Sequence, residues 1–405
     1  MIARAQGQIV LVDGAVPGER VLARIERVAK GVVYADTVTV EEPSPDRTAE
    51  FADRLCGGCL YAHIAYPRQL EIKSLVIADA FARIARLPLP ADVGVEPSPQ
   101  EGYRMRARLH YQGRELGFFR EGTHQVCDAR ATRQLLPSTC DVLDLIGRVL
   151  AGLPLGTVRE VELSENLDAS QRVVHVDASS SVAAPWADLL SSAGGVTGVI
   201  LSDSTRGTLR VVAGSPYVSD VLPLRDQAPI ALRRHAAAFF QGNRFLLGGL
   251  VLHVTDQIPR GSRLVDLYAG GGVFAVAAAQ LCRAEVTAVE GDRVAAEDLA
   301  VNAAAAEGEV VAVHQSVETF AASAPPGADV VVVDPPRTGL SREAARGIVR
   351  MRAGRLVYVS CDVATLARDA RRLVDGGYQI GRVDAFDLFP NTPHVEAVVV
   401  FDRRG

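Results

Sequence analysis

The chain has 405 residues, too many for one ordinary hydrophobic core, and divides on length into two or three domains. Its 48% hydrophobic and 22% charged residues are those of a water-soluble globular protein. The absence of a leader-like N-terminus, or of any apolar run approaching ~18 residues, argues against a membrane protein and predicts a cytoplasmic one. The net charge of −5 argues against a chain-wide affinity for polyanions but leaves room for a local basic patch. Six cysteines in a chain of this length predict free thiols or a metal cluster rather than disulfides.

Residues 1–45 hold short alternating runs ("GQIVLVDG", "ERVLARIERVAKG", "VVYADTVTVEE") separated by glycines and ended by Pro43 and Pro45. That rhythm predicts a small antiparallel barrel or sheet. Residues 46–230 combine a cysteine-containing loop, an amphipathic helix over 69–87 and further hairpins, and read as an α+β domain. Within it, residues 101–134 carry seven arginines against four acids. Arg104, Arg106 and Arg108 alternate along "YRMRARLHY", so all three belong to one face of a strand, where they could meet phosphates.

From residue 231 to the C-terminus, apolar strand-like segments alternate with helical ones: "RLVDLYA", "EVTAVE", "VVAVHQ", "ADVVVVDPP" and "RLVYVSC", with helices such as "FAVAAAQLC" and "REAARGIVRM" between them. That alternation predicts an α/β fold with a doubly wound parallel sheet. "QIGRVDAFDLF" and "VEAVVVFD" have only "PNTPH" between them and are expected to pair antiparallel at the sheet edge.

"DLYAGGGVFAVAAA" (266–279) lies on a strand-to-helix turn. Gly270, Gly271 and Gly272 allow a close backbone approach to a ligand, and Glu290 ends the next strand, where a carboxylate can accept from two ribose hydroxyls. NAD and S-adenosylmethionine both suit this unit. Asp266 and the ring of Tyr268 suit a sulfonium cation and favour the second.

"VVVVDPPRTGL" ends the fourth strand at Asp334, held by Pro335 and Pro336, and Cys361 ends the fifth strand on the same rim. Glu396 opens the last strand, which runs the other way and so starts at that rim too. A thiolate, a carboxylate and a methyl donor are what methylation at C5 of a uracil requires. The thiolate attacks C6, C5 then takes the methyl group, and a base removes the C5 proton. Asp362 and Thr365 are helix-start residues, so Cys361 is expected at a helix N-terminus with its thiolate favoured by the dipole.

The ordered set "FFQGN" (239–243), "DLYAGGG", "DPPRTGL", "SCDVATLARD" and "FPNTPHVE" resembles the bacterial RNA uracil-5-methyltransferases that modify 23S rRNA or the T-loop of tRNA. The resemblance spans essentially the whole chain. It implies a class I (Rossmann-like) methyltransferase domain over 231–405, a TRAM-like, OB-related RNA-binding barrel over 1–45, and the central domain over 46–230 between them. It implies Cys361 as nucleophile and Glu396 as base. Gln241, Tyr268, Gly270, Gly272, Glu290 and Asp334 would hold S-adenosylmethionine, and Phe239 and Asn243 would lie beside a flipped uridine. RNA is then the partner, rRNA favoured over tRNA; no obligate protein partner is expected, and nothing demands more than a monomer.

The sequence departs from the family at three points. Val363 stands where Pro is usual, and Val273 where Asn is common. "LCGGCLYAH" (55–63) resembles the family's iron–sulfur loop but supplies only Cys56 and Cys59 of four thiolates, with Thr132 at a later ligand position. A structural remnant is expected there, not a cluster. Three other functions compete: an amino-methyltransferase acting on adenine or guanine, which needs no nucleophilic cysteine; a non-catalytic RNA-binding protein of the same fold; and a dehydrogenase.

Overall fold

The computed structural model describes residues 1–179, 195–203, 205 and 207–405. Part of the middle region therefore lies outside the described residues. No described helix is long and apolar enough to cross a membrane.

Four strands, β1 (Ile2–Ala5), β2 (Gln8–Asp13), β3 (Arg20–Ala29) and β4 (Val32–Glu42), form the first sheet in the order β1-β2-β4-β3. Its pairing leaves β1 and β3 as edges, and β2 runs parallel to β4 while the other pairs are antiparallel, so the strand rhythm yields a mixed four-stranded sheet and not an antiparallel one or a closed ring. The predicted amphipathic helix is found at Tyr66–Ala80, continues as a π-helical turn over Phe81–Ala85, and ends at Arg86 with a left-handed φ of 54°. The short strand β5 (Gly94–Glu96) follows.

The middle sheet has seven strands: β6 (Arg106–Gln112), β7 (Glu115–Phe119), β8 (Val126–Asp128), β9 (Val158–Glu165), β10 (Arg172–Ala178), β11 (Gly198–Asp203) and β12 (Thr208–Gly214), ordered β12-β11-β10-β9-β6-β7-β8. The helix Pro137–Leu150 lays Val142, Leu143, Ile146 and Leu150 against it, packed with Leu109, Val161 and Leu163. The hairpin β13 (Tyr217–Leu222) and β14 (Ile230–His235) leads into the C-terminal unit.

Here the expectation of disulfide-free cysteines fails, because Cys56 is bonded to Cys127. The Cys56 loop lies on the β7–β8 hairpin: Gly57 N–H donates to Phe119 O at 3.0 Å, and Cys56 bridges Arg120. Two cysteines far apart in sequence were brought together by that docking, which spacing alone does not reveal. Cys59 remains a free, buried thiol, pushed up to about 12 by burial.

The C-terminal sheet contains β15 (Arg263–Leu267), β16 (Glu285–Glu290), β17 (Val310–His314), β18 (Val330–Val333), β19 (Arg355–Ser360), β20 (Tyr378–Phe386) and β21 (Glu396–Arg403). Its order is β17-β16-β15-β18-β19-β21-β20-β5. The first five strands listed are parallel, as the alternation predicts. β21 runs antiparallel to both β19 and β20. These last strands do pair antiparallel, but β21 is interior and the edge belongs to β5, which pairs β20 in parallel. Three residues from the middle region are thus built into the C-terminal sheet.

β18 reads Val-Val-Val-Val because both faces of a central parallel strand are covered. Val330 and Val332 pack with the helices Leu247–Thr255 and Val273–Cys282, while Val331 and Val333 face the helices Arg342–Met351 and Val363–Asp375. The helix Tyr66–Ala80 adds Ile77 to the second face.

That helix is also tied by a buried ion pair, Lys73 to Asp387, with Lys73 Nζ donating a second bond to Phe389 O at 3.1 Å. Lys73→Met strands the Asp387 carboxylate in the interior. It is expected to cost ~3–5 kcal/mol, read as a lower midpoint in urea unfolding. An unchanged midpoint would mean that the pair contributes nothing net.

Candidate active site

Strand order, more than sequence order, assembles the site. Reading across the sheet through β16, β15, β18, β19 and β21, the ends on one rim carry Glu290, Tyr268, Asp334, Cys361 and Glu396. Ser360 pairs with Ala397, which brings Cys361, one residue past the end of β19, beside Glu396, the first residue of β21. These residues line one cavity of about 690 Å3, together with Phe239, Gln241, Gly270, Gly271 and Arg337. That volume is in the range of small-molecule and cofactor sites.

The glycine loop is held from two sides. Gly270 N–H donates to Glu290 Oε2 at 2.8 Å, and Asp292 N–H donates to Oε1 at 2.6 Å. Asn302 Nδ2 donates to Gly271 O at 2.7 Å. The Glu290 carboxylate is thereby fixed in the mouth of the loop, with lone pairs left for hydroxyl donors. Tyr268 has a φ of 60°, a strained conformation for a bulky aromatic residue, and such strain gathers at ligand-binding turns.

Gly272 does not line the cavity. It caps the helix Val273–Cys282 with a φ of 89°, and a Cβ there would meet Leu299 Cδ1 at 2.7 Å. Its need for glycine comes from packing.

Asn243 is a second departure. It is fully buried: Nδ2 donates to Ser98 Oγ at 2.8 Å and Leu388 O at 3.1 Å, and Oδ1 accepts from Phe245 and Leu246 N–H. With its amide consumed internally it is a brace for the loop and does not reach the cavity. Phe239 does reach it, 68% exposed, with the Arg106 guanidinium 5.8 Å from its ring centroid.

The three arginines share the outward face of their segment, opposite buried Met105, Ala107 and Leu109. They are nevertheless engaged. Arg104 Nη1 donates to Gln134 Oε1 at 2.7 Å, Arg106 pairs with Glu162 at 2.6 Å, and Arg108 pairs with Glu160 at 2.5 Å. Only Arg108 of the three keeps a largely exposed side chain, at 69%.

Electrostatics overturn the expectation for the thiol. Burial pushes Cys361 up to about 11, Glu396 adds to the effect, and the nearby Arg337 guanidinium offsets it only in part. The helix start is present, with Asp362 Oδ1 accepting from Thr365 N–H at 2.8 Å and Val363 replacing proline without loss of the cap. Desolvation and a neighbouring carboxyl outweigh that dipole. At neutral pH Cys361 is therefore held mainly as the thiol. Iodoacetamide labelling of Cys361, followed by peptide mass spectrometry, is expected to accelerate about tenfold per pH unit from pH 7 to 10, because the thiolate is the reacting form. A plateau near neutrality would contradict this.

The carboxyl groups behave alike. Glu396 is raised well above its ordinary value by burial and then by Asp334. Asp334 is raised by burial and opposed by Gln241, whose Nε2 donates to Oδ2 at 3.2 Å. Asp266, beneath the loop, is also raised by burial and then by Asp334; the Ala275 N–H faces it, yet neither oxygen makes a hydrogen bond of normal geometry. A glycine cradle, a hydroxyl acceptor and anionic groups short of partners fit an adenosine cofactor carrying a cation. Arg337 is the residue the motif reading passed over: it was visible in "DPPR", but its position beside the thiol came from the loop's path.

Comparison with known proteins agrees with the site. A family model described as tRNA (uracil-5-)-methyltransferase matches residues 326–404. An uncharacterised RNA methyltransferase of Thermotoga maritima is 31% identical across 98% of this chain and 94% of its own. The 23S rRNA (uracil(1939)-C(5))-methyltransferase RlmD of Methylococcus capsulatus is 30% identical across 99% and 94%. The Pyrococcus abyssi tRNA (uracil-54, C5)-methyltransferase, solved with S-adenosyl-L-homocysteine, superposes with a TM-score of 0.78 at 25% identity, covering 97% of this chain and 94% of that one. With 30–31% identity to these relatives over 98–99% of its length, and a cavity lined by the glycine loop on the sheet rim, this chain belongs to the S-adenosylmethionine-dependent RNA uracil-5-methyltransferase family.

Proposed function

We propose that the protein methylates C5 of a uridine in 23S rRNA, through a covalent bond between Cys361 and C6 of the base. The observation that carries the reading is Cys361, just past the end of β19, beside Glu396 at the start of its antiparallel neighbour β21, both lining the same cavity as the glycine loop. The cofactor supplies an electrophilic methyl group on a sulfonium.

The chain's residues do the rest. Cys361 adds to C6 and makes C5 nucleophilic. Arg337, beside the thiol, favours its ionised form. Glu396, in its ionised form, takes the C5 proton, after which the thiolate is expelled. Gln241 orients Asp334, and Glu290 receives ribose hydroxyls. Tyr268, Gly270 and Gly271 form the floor for the adenosine. Phe239, exposed at the cavity, is a stacking surface for a base taken out of its helix. Gly272 and Asn243 shape the loops that carry these groups.

The residues 1–42 sheet and Arg108 are the proposed RNA contacts outside the cavity, as a TRAM-like module and a phosphate-binding cation. Arg108→Ala is expected to weaken binding of an rRNA fragment and lower the slope of log K against log salt by about 1. An unaltered slope would leave Arg108 a solvated partner of Glu160.

Ribosomal RNA is preferred because the rRNA enzyme RlmD from Methylococcus capsulatus matches over nearly the whole of both chains. The test offers labelled S-adenosylmethionine with unmodified 23S rRNA and tRNA transcripts in parallel, then digests each to nucleosides. Label in 5-methyluridine from 23S rRNA is expected. Label confined to tRNA would move the substrate to the T-loop class, and label in a methylated purine would favour the amino-methyltransferase.

A further inference from the structure

Three carboxyl groups surround one end of the cavity with little to neutralise them, Asp266 and Glu396 buried and Asp334 half-buried. Asp334 and Glu396 stand on the rim, and Asp266 lies behind the glycine loop, one strand over from Val332 in the β15–β18 register. Asp334 N–H donates to Leu267 O at 3.3 Å, so its carboxyl follows directly on that register.

The charged and titratable neighbours among the described residues include Tyr268, after β15, and Asp292, beyond β16, which line the same cavity. From the Asp334 loop comes Arg337, from β19 Cys361, from β16 Glu290, and from the approach to β21 His394, which lies near Arg337. Arg106, at the cavity beside Phe239, is already paired to Glu162. Glu290 has its backbone N–H donors; Asp266 faces the Ala275 N–H without a hydrogen bond of normal geometry, and Asp334 has one, from Gln241. Two buried carboxyls and a half-buried third, with only the exposed Arg337 beside them, do not all stay ionised, since burying uncompensated charge is the costliest arrangement available.

We propose that Asp334 and Glu396, backed by Asp266, form a charge-exchange site in which a proton and the cofactor's sulfonium replace one another. This rests on the reading of Glu396 as base. In the free protein the set holds protons. Entry of a permanent cation releases one proton to solvent from the Asp334–Glu396 pair, leaving a single negative charge that the two carboxyls share and that Glu396 uses as base.

The balance closes over the turnover. The S–CH3 bond breaks with its electron pair left on sulfur, so the positive charge disappears from the cofactor. Cys361 gives its S–H proton to solvent as the S–C6 bond forms; the C5–H bond then breaks, its pair re-forms C5=C6 and expels the Cys361 thiolate, which regains a proton from solvent, and the C5 proton goes to Glu396. The site thus regains a proton as it loses a sulfonium. S-adenosylhomocysteine, which is neutral at sulfur, leaves a site that is again protonated, and the proton departs when the next S-adenosylmethionine binds. The consequence is selectivity for S-adenosylmethionine over its product that depends on pH.

The test is titration calorimetry on the full chain without RNA, at pH 6.5, in two buffers of different ionisation enthalpy. S-adenosylmethionine and S-adenosylhomocysteine share every titratable group and differ in the sulfonium, so the difference in protons released isolates the exchange. Release of between half and one proton with S-adenosylmethionine, and none with the homocysteine, is expected. The affinity ratio between the two should rise about tenfold from pH 6 to pH 8. Asp334→Asn should reduce both effects, and the wild-type measurement decides the matter even if that variant does not fold. Equal proton release with both ligands, or a ratio constant with pH, overturns the proposal. Because no RNA is present, that failure is separable from failure of Glu396 as base, which is read in the product complex below.

Discussion

Cys361→Ala is expected to lower 5-methyluridine formation by a factor on the order of a thousand or more, with S-adenosylmethionine binding kept within a few-fold. The reason is chemical. C5 of a resting uracil is a poor nucleophile, and among the described residues lining the cavity no other thiol is present to add to C6 and make it one. The adenosine-binding features, the Gly270–Gly271 loop and Glu290, lie two and three strands away from Cys361 and do not depend on its sulfur. Labelled methyl transfer and ligand binding, measured on the same preparation, separate the two. Transfer that survives the substitution would remove the thiolate route and favour an enzyme acting on exocyclic amines, for which the Asp334-Pro335-Pro336 turn would be sufficient.

Glu396→Gln is expected to give the opposite kind of defect. Cys361 still adds and the methyl group is still delivered, but nothing removes the C5 proton, so the thiolate cannot leave. Methylated RNA should accumulate as a complex with the protein that survives denaturation, while release of free product falls by about 10²–10⁴. Denaturing electrophoresis with labelled RNA reads this directly. The substitution is nearly isosteric and removes a group that burial already holds toward its neutral form, so the fold is expected to tolerate it. Loss of both the adduct and the product would assign Glu396 to an earlier step than proton removal.

The alternation of strands and helices from residue 263 onward was legible because each central strand is buried on both faces and must be apolar throughout, as in Val330–Val333. The rim was legible for a related reason: "DLYAGGG", "VVDPP" and "YVSC" each end a strand of one parallel sheet, and such ends share a side. Arg337 beside Cys361, the bond between Cys56 and Cys127, and the edge position of β5 were not legible. Each depends on a contact between segments whose separation carries no periodic signal.

Asn243 and the thiol mark the same boundary within the site. A motif places Asn243 near the chemistry, yet its amide is used up by Ser98 and Leu388, residues from two other regions of the chain. A helix start predicts a favoured thiolate, yet enclosure by Glu396 and the surrounding core holds Cys361 as a thiol. The sequence by itself determined which residue types stand at strand ends, because hydrophobic period and turn chemistry are local. Only the tertiary structure decided which of those groups are paired, which are desolvated and which face one another. Those properties depend on the distance and dielectric between side chains remote in the chain.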